Sequence, residues 1–150
     1  MKVVIQRVSK ASVTIVGEKV ASIQKGLLIL LGIVNEDTQE DIDYLVRKII
    51  NLRIFNDKNG VMNTSLLTEN AEVIVVSQFT LHASTKKGNR PSYIKAAKPD
   101  VAIPLYEKFL ATLQKEISHK VQTGKFGADM QVELLNDGPV TIMIDSKNKE

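Results

Sequence analysis

The segment Ser77-Gln78-Phe79-Thr80-Leu81 places two hydroxyls and a carboxamide within four residues, directly after the apolar run Val73-Ile74-Val75-Val76. In α/β sheets the chain leaves the hydrophobic layer at the C-terminal edge of a buried strand, which frees side chains and backbone amides to meet a ligand. Ser77, Gln78, Phe79 and Thr80 are therefore the first candidates for a binding or catalytic site. The ordinary alternative is that Ser77 and Thr80 only hydrogen-bond backbone at a strand end. A second constellation, Asn136-Asp137-Gly138-Pro139-Val140-Thr141, lies between two strand-like segments and reads as a tight turn. A cis Gly138-Pro139 bond is compatible with that turn, although only about 5–6% of X-Pro bonds in folded proteins are cis.

The common catalytic sets are missing. There is no cysteine, and the two histidines, His82 and His119, belong to no HExxH or paired metal-ligand spacing. No glycine-rich phosphate loop precedes a helix, so neither a metal nor a nucleotide cofactor is expected. His82 follows Thr80 by two residues, but whether the two side chains meet depends on how the chain turns, and His82 is not taken as a base. His119 falls near a helix end, where the helix dipole favours a cation.

These residues need a frame. Residues 2 to 8 and 11 to 16 read as strands, with Gly17-Glu18-Lys19 turning the chain into a third over Val20 to Ile23. The runs Leu27 to Leu31 and Val73 to Val76 are continuously apolar, as expected of strands covered on both faces at the centre of a sheet. Ile42, Leu45, Val46, Ile49 and Ile50 recur at helical spacing after Thr38-Gln39-Glu40-Asp41, which has the form of a capping box. A second helix is marked by Leu105, Phe109, Leu113 and Ile117; Asp100 is its expected N-cap, Pro104 is tolerable only near its first turn, and its end is expected near His119. Strand patterning returns after Gly127 through Val132, Leu134, Val140, Ile142 and Ile144. The expected fold is mixed α/β, a barrel-like sheet with two main helices in a single domain spanning 1–150, with a frayed tail at 146–150.

Composition narrows the class of function. No apolar run approaches the ~20 residues a membrane helix needs, and the basic N-terminal stretch is unlike a secretory leader, so a cytoplasmic protein with no membrane partner is expected. The formal net charge is only +3, yet no acidic residue lies between Glu72 and Asp100, where Lys86, Lys87, Arg90, Lys95 and Lys98 accumulate. The stretch from His82 to Lys98 also reads as a long loop, and long loops in compact domains are often functional. Such a loop suits phosphate contact; a solvated surface loop has the same composition.

Together, Ser77 to Leu81 and Asn136 to Thr141 resemble the two signature motifs of bacterial and eukaryotic D-aminoacyl-tRNA deacylases. The likeness continues through Gln6-Arg7-Val8, Pro104-Leu105-Tyr106, Thr123-Gly124 and Phe126-Gly127-Ala128-Asp129-Met130. The resemblance implies hydrolysis of the ester joining a D-amino acid to tRNA, by a homodimer without a cofactor. It implies a cis Gly138-Pro139 bond, held by Arg7 and reaching into the other subunit's pocket, with Ser77, Gln78, Phe79 and Thr80 bordering the site of the 3′-terminal adenosine. Lys86, Lys87, Arg90, Lys95 and Lys98 become candidates for the tRNA backbone, and DNA is not an expected partner. His82 departs from the pattern, which commonly has another residue such as tyrosine there.

A cis Gly-Pro dipeptide would aim carbonyl oxygens at the substrate α-carbon, leaving space for hydrogen but not for an L side chain. Glycine would pass such a filter, including glycine mischarged on tRNA(Ala). Two bond-breaking routes remain open: Thr80 as nucleophile, or backbone amides near Phe79 and Thr80 stabilising an oxyanion while water attacks with help from the ribose 2′-hydroxyl. The second asks for no side chain that the sequence lacks. Two rival functions are an RNA-binding module without turnover and an esterase or amidase acting on small metabolites.

Overall fold

The computed structural model describes residues 1–149. Strand β1 (Lys2–Ile15) is its axis. Along one edge β1 pairs antiparallel first with β3 (Gly26–Gly32) and then with β2 (Glu18–Ile23), while its other edge carries β8 (Gln131–Asp145). The parallel strand β6 (Glu72–Ser77) lies against β3, and the short β7 (Gln122–Thr123) against β6. Strand β2 approaches both β6 and β7, so the sheet curls toward closure as the barrel-like expectation requires. Two helices lie outside it, α1 (Gln39–Asn51) and α3 (Pro99–Glu116). Between α1 and β6 come the small hairpin β4 (Phe55–Asn56) and β5 (Met62–Thr64) and the single turn α2 (Leu66–Glu69).

Both continuous apolar runs are buried on both faces. Leu27, Ile29 and Leu31 of β3, with Val73 and Val75 of β6, face a large core beneath α1 and α3; Leu28, Ile74 and Val76 face a smaller core with Val13 and Ile23. The two strands expected over 2–8 and 11–16 are one strand. The alternation breaks at Arg7 and Val8, which are both buried, because the register against β8 shifts on either side of Val8. That slip moves the buried side chains from the larger core, which takes Val3 and Ile5, to the smaller one, which takes Val8, Ala11 and Val13.

Helix α1 buries Ile42, Leu45, Val46, Ile49 and Ile50, the stripe read from spacing. Its capping box forms, with the Thr38 amide donating to the Asp41 carboxylate at 2.8 Å. Helix α3 begins earlier than expected: Lys98 is its N-cap and Pro99 its first residue, so Asp100 sits in the first turn, where its charge complements the dipole. Pro104 lies inside the helix, which ends at Glu116 rather than near His119. Tyr106 of α3 donates to the Val75 carbonyl at 2.9 Å, and burial pushes its phenol up to about 12.

The expected fraying over 146–150 does not hold where the tail meets α1. Ser146 is buried and donates to Asp41 at 2.6 Å, and Lys147 pairs with the same carboxylate at 2.8 Å. Burial opposes the Asp41 charge, but hydrogen bonds from Lys147, Ser146 and the Thr38 amide outweigh it and hold the carboxyl far below its usual range. The Met1 ammonium joins this cluster through Asp37 and through Ser146 at 3.0 Å. Residue 150 lies outside the described residues.

Candidate active site

Strand β6 ends at Ser77, opposite Leu31, and the Gln78 amide still donates to the Leu31 carbonyl at 2.7 Å. The chain then tightens into one 3₁₀ turn, Phe79–His82. A helical turn leaves its opening amides without partners inside it, so the segment offers donors at the sheet edge, as the sequence suggested. Gln78 Nε2 donates to Thr80 Oγ1, which has no histidine or carboxylate partner among the described residues. His82 turns inward, packs against Gly32 and is buried, with Nε2 unpaired. Burial pulls its pKa down; the Gly32 carbonyl and Asp37 oppose this, while Lys2 and the N-terminal ammonium reinforce it. Burial therefore favours its uncharged form, packed inward against Gly32.

Beside the turn lies an open cavity of about 300 Å³. Ser77, Gln78 and Phe79 form one wall, Leu31, Ile33 and Val76 its floor, and Ala97 with Ala102 another side. The remaining wall is the segment Phe126 to Met130, with Val132. Residue chemistry alone does not mark this wall as part of a site, because four of its five residues carry no ionisable group; its only signal is the motif likeness. Thr80 does not line the cavity, although it adjoins residues that do.

Arg7, Gly138 and Pro139 are brought together, but elsewhere. Within β8, Asn136 pairs with Val8 and Thr141 with Gln6, so residues 137 to 140 bulge out opposite Arg7 alone. The Gly138-Pro139 bond is cis. The buried Arg7 guanidinium donates Nε to the Asp137 carbonyl at 3.2 Å and Nη1 to the Ile54 carbonyl at 2.7 Å and Asn56 Oδ1 at 3.1 Å. Its Nε also pairs with the Asp137 carboxylate at 3.1 Å. Asn136 closes the base of the bulge, donating Nδ2 to the carbonyls of Arg7 at 2.9 Å and Val140 at 3.0 Å. Gly138 has a φ of +124°, and a β-carbon there would stand 3.0 Å from Arg7 Nη2 and 2.8 Å from Val140 Cγ2. None of the three residues lines the cavity of its own chain.

The loop after the turn carries Lys86, Lys87, Arg90, Lys95 and Lys98, all exposed and none in an ion pair with a described residue. Ser84 and Ser92 exchange backbone hydrogen bonds at 2.8 and 2.9 Å, and the Ala97 amide donates to the Ile33 carbonyl at 2.9 Å, which fixes the loop's return at the cavity. Among the described residues no group of three or more acidic or histidine side chains is arranged to hold a metal. No helix there is long and apolar enough to cross a membrane.

A family model described as D-Tyr-tRNA(Tyr) deacylase matches residues 4–145. Proteins named D-aminoacyl-tRNA deacylase are 69% identical in Flavobacterium johnsoniae, 71% in Flavobacterium psychrophilum and 66% in Bacteroides fragilis, each over 100% of both chains. Among solved structures, one titled c-Myc DNA Unwinding Element Binding Protein has a TM-score of 0.92 at 45% identity, covering 97% of this chain and 98% of its own. Another, titled as a probable eukaryotic D-amino acid tRNA deacylase, has a TM-score of 0.80 at 17% identity over 95% of this chain and 97% of its own, a likeness of fold.

Proposed function

The chain belongs to the D-Tyr-tRNA(Tyr) deacylase family and is a D-aminoacyl-tRNA deacylase; from that premise we propose that it sorts its substrates by α-carbon configuration, using Gly138-Pro139 of one subunit at the cavity of another. The observation that carries this reading is the placement of the dipeptide. It is clamped by Arg7 and Asn136, exposed, and absent from the cavity of its own chain, so it is available to a second copy. The outer edge of β8 has no strand partner among the described residues and bears exposed Leu134, Leu135 and Met143, apolar surface that suits a homodimer.

In this arrangement the 3′-terminal adenosine with its aminoacyl group occupies the cavity beside Ser77, Gln78 and Phe79. The amides opening the turn at Phe79 and Thr80 donate to the ester carbonyl oxygen as it becomes an oxyanion. A water oxygen, deprotonated with the help of the neighbouring ribose 2′-hydroxyl, bonds to the carbonyl carbon. Collapse breaks the bond to the ribose oxygen, which takes a proton, releasing tRNA and the free D-amino acid. Thr80 serves as a hydrogen-bond partner of Gln78 rather than as nucleophile, since no base accompanies it. Backbone carbonyls of the dipeptide approach the α-carbon, admitting hydrogen and excluding an L side chain. Glycyl-tRNA, including glycine mischarged on tRNA(Ala), carries no side chain to exclude and is also a substrate. The basic loop contacts the tRNA backbone, and the enzyme works in the cytoplasm, where aminoacyl-tRNA is consumed.

The deciding experiment compares hydrolysis of D-tyrosyl-, L-tyrosyl- and glycyl-tRNA by the purified protein with a metal chelator present, alongside its mass by sedimentation. Cleavage of the D and glycyl esters by a dimer, with the L ester spared, is expected. Equal cleavage of both tyrosyl esters, or activity in a monomer, removes the proposed filter.

A further inference from the structure

The loop that crosses the cavity rim holds two exposed hydrophobic side chains that the reaction above leaves unused, Tyr93 and Ile94. Tyr93 is 40% exposed and Ile94 91% exposed. The Tyr93 ring meets the Phe79 ring edge-on, 5.0 Å between centroids and 74° between planes. Phe79 lines the cavity and is itself half exposed, so the two rings form a step from the cavity wall onto the outer surface. An edge-on contact leaves the face of a ring open to a further planar partner.

The step is held in place. The Ala96 amide donates to the Tyr93 carbonyl at 3.0 Å, the Ser84 and Ser92 backbones are paired just before it, and the Ala97 amide is tied to Ile33 just after. Lys95 and Lys98 follow the step and Arg90 precedes it, with no acidic residue anywhere between Glu72 and Asp100. Cations beside an exposed aromatic ring are what a single strand of nucleic acid requires: a neutralised phosphate and a surface for the base.

We propose that Tyr93 is the stacking platform for the nucleotide immediately 5′ of the terminal adenosine, so that the enzyme grips the single-stranded end of tRNA outside the cavity as well as within it. This rests on the proposed placement of the terminal adenosine beside Phe79. With that nucleoside in the cavity, the strand leaves over the Phe79 edge, and the next base meets the Tyr93 ring. Any base has a face to stack, so the platform adds affinity for a polynucleotide without reading sequence.

The test uses two substrates, D-tyrosyl-tRNA and D-tyrosyl-adenosine, which lacks every nucleotide but the last. With Tyr93→Ala, KM for the tRNA substrate should rise about tenfold with kcat unchanged, while hydrolysis of D-tyrosyl-adenosine stays at the wild-type rate. Tyr93→Phe, which keeps the ring, should restore the wild-type KM. Equal losses on both substrates would mean that Tyr93 only props Phe79, and a tRNA KM unmoved by Tyr93→Ala would mean that nothing stacks there; either overturns the proposal. So does a change in sedimentation of Tyr93→Ala, which would place the ring in a subunit interface. Failure of the wild-type protein to cleave either substrate is a separate result, and it would overturn the placement of the adenosine along with this platform.

Discussion

Replacing Gly138 with alanine tests the proposed filter with the least change in chemistry. The new β-carbon would stand 2.8 Å from Val140 Cγ2, 3.0 Å from Arg7 Nη2 and 3.1 Å from the Val140 backbone nitrogen. None of these neighbours yields easily. Val140 packs against the larger core, and the Arg7 guanidinium is fixed through Nε and Nη1. The backbone φ of +124° is itself unfavourable for a side-chain-bearing residue, at a cost of order 1–3 kcal/mol. If the fold absorbed a cost of about 2 kcal/mol unrelieved, Tm would drop by roughly 4–8 °C for a domain of this size. If the bulge shifts instead, the stability loss shrinks and the carbonyls of Gly138 and Pro139 move from their positions. Scanning calorimetry and parallel deacylation of D- and L-tyrosyl-tRNA read the two outcomes separately. A variant with Tm within about 1 °C of wild type and an unchanged D-to-L rate ratio would refute the reasoning, because nothing near Gly138 would then have been constrained.

Thr80→Ala should keep most of the deacylase activity, since the hydroxyl has no base; loss of all turnover with tRNA binding intact would make Thr80 the nucleophile. Neutralising Lys86, Lys87, Arg90, Lys95 and Lys98 together should flatten the dependence of tRNA affinity on salt by up to about 0.7–0.9 in log–log slope for each phosphate no longer neutralised, and an unchanged slope would leave the loop merely solvated. His82, held neutral by burial, binds its proton more readily when the chain is unfolded. Its contribution is therefore fully present above the unfolded value of about 6.5 and is lost as pH falls below it; His82→Gln should reduce the shift in urea midpoint between about pH 7.5 and pH 5.5, and an undiminished shift would assign it to other groups. Val16 is almost wholly exposed at φ +48° in the β1–β2 turn, a conformation that asparagine tolerates far better than a β-branched residue. Val16→Asn should raise Tm, by roughly 2–4 °C for each kcal/mol of relieved strain, and a lower Tm would contradict this.

Much of the frame is legible because apolar periodicity is a direct imprint of burial. The runs in β3 and β6 read as strands covered on both sides, and the α1 stripe as one face of a helix. The unity of β1 is not legible. A register slip breaks alternation in the same way that a strand end does, and residues 2 to 16 alone do not contain the β8 partner that distinguishes them. The tail departs from its composition for a related reason: Ser146 and Lys147 are polar, as fraying predicts, but their partner is Asp41, more than a hundred residues away. In the candidate site, Ser77 to Thr80 are marked in the sequence by hydroxyls and an amide at a strand end. The wall from Phe126 to Met130 does not, since its contribution is shape. Asp100 is preferred as N-cap by residue type, but Pro99 suits the first helical position better than any position outside it.

The bulge at residues 137 to 140 differs from a hairpin tip in having both feet in one ladder, at Asn136 and Thr141, against Val8 and Gln6 of a single strand. A tip is a cantilever, free to swing about its stem; this segment is an arch whose span is set by the distance between two rungs. Its feet can part only if a rung breaks. A one-residue insertion or deletion in β8 would therefore move a foot of the arch by a whole register step, turning inward-facing residues of the strand outward. Amide exchange should mirror this, with slow sites at the springing points and fast ones at the crown.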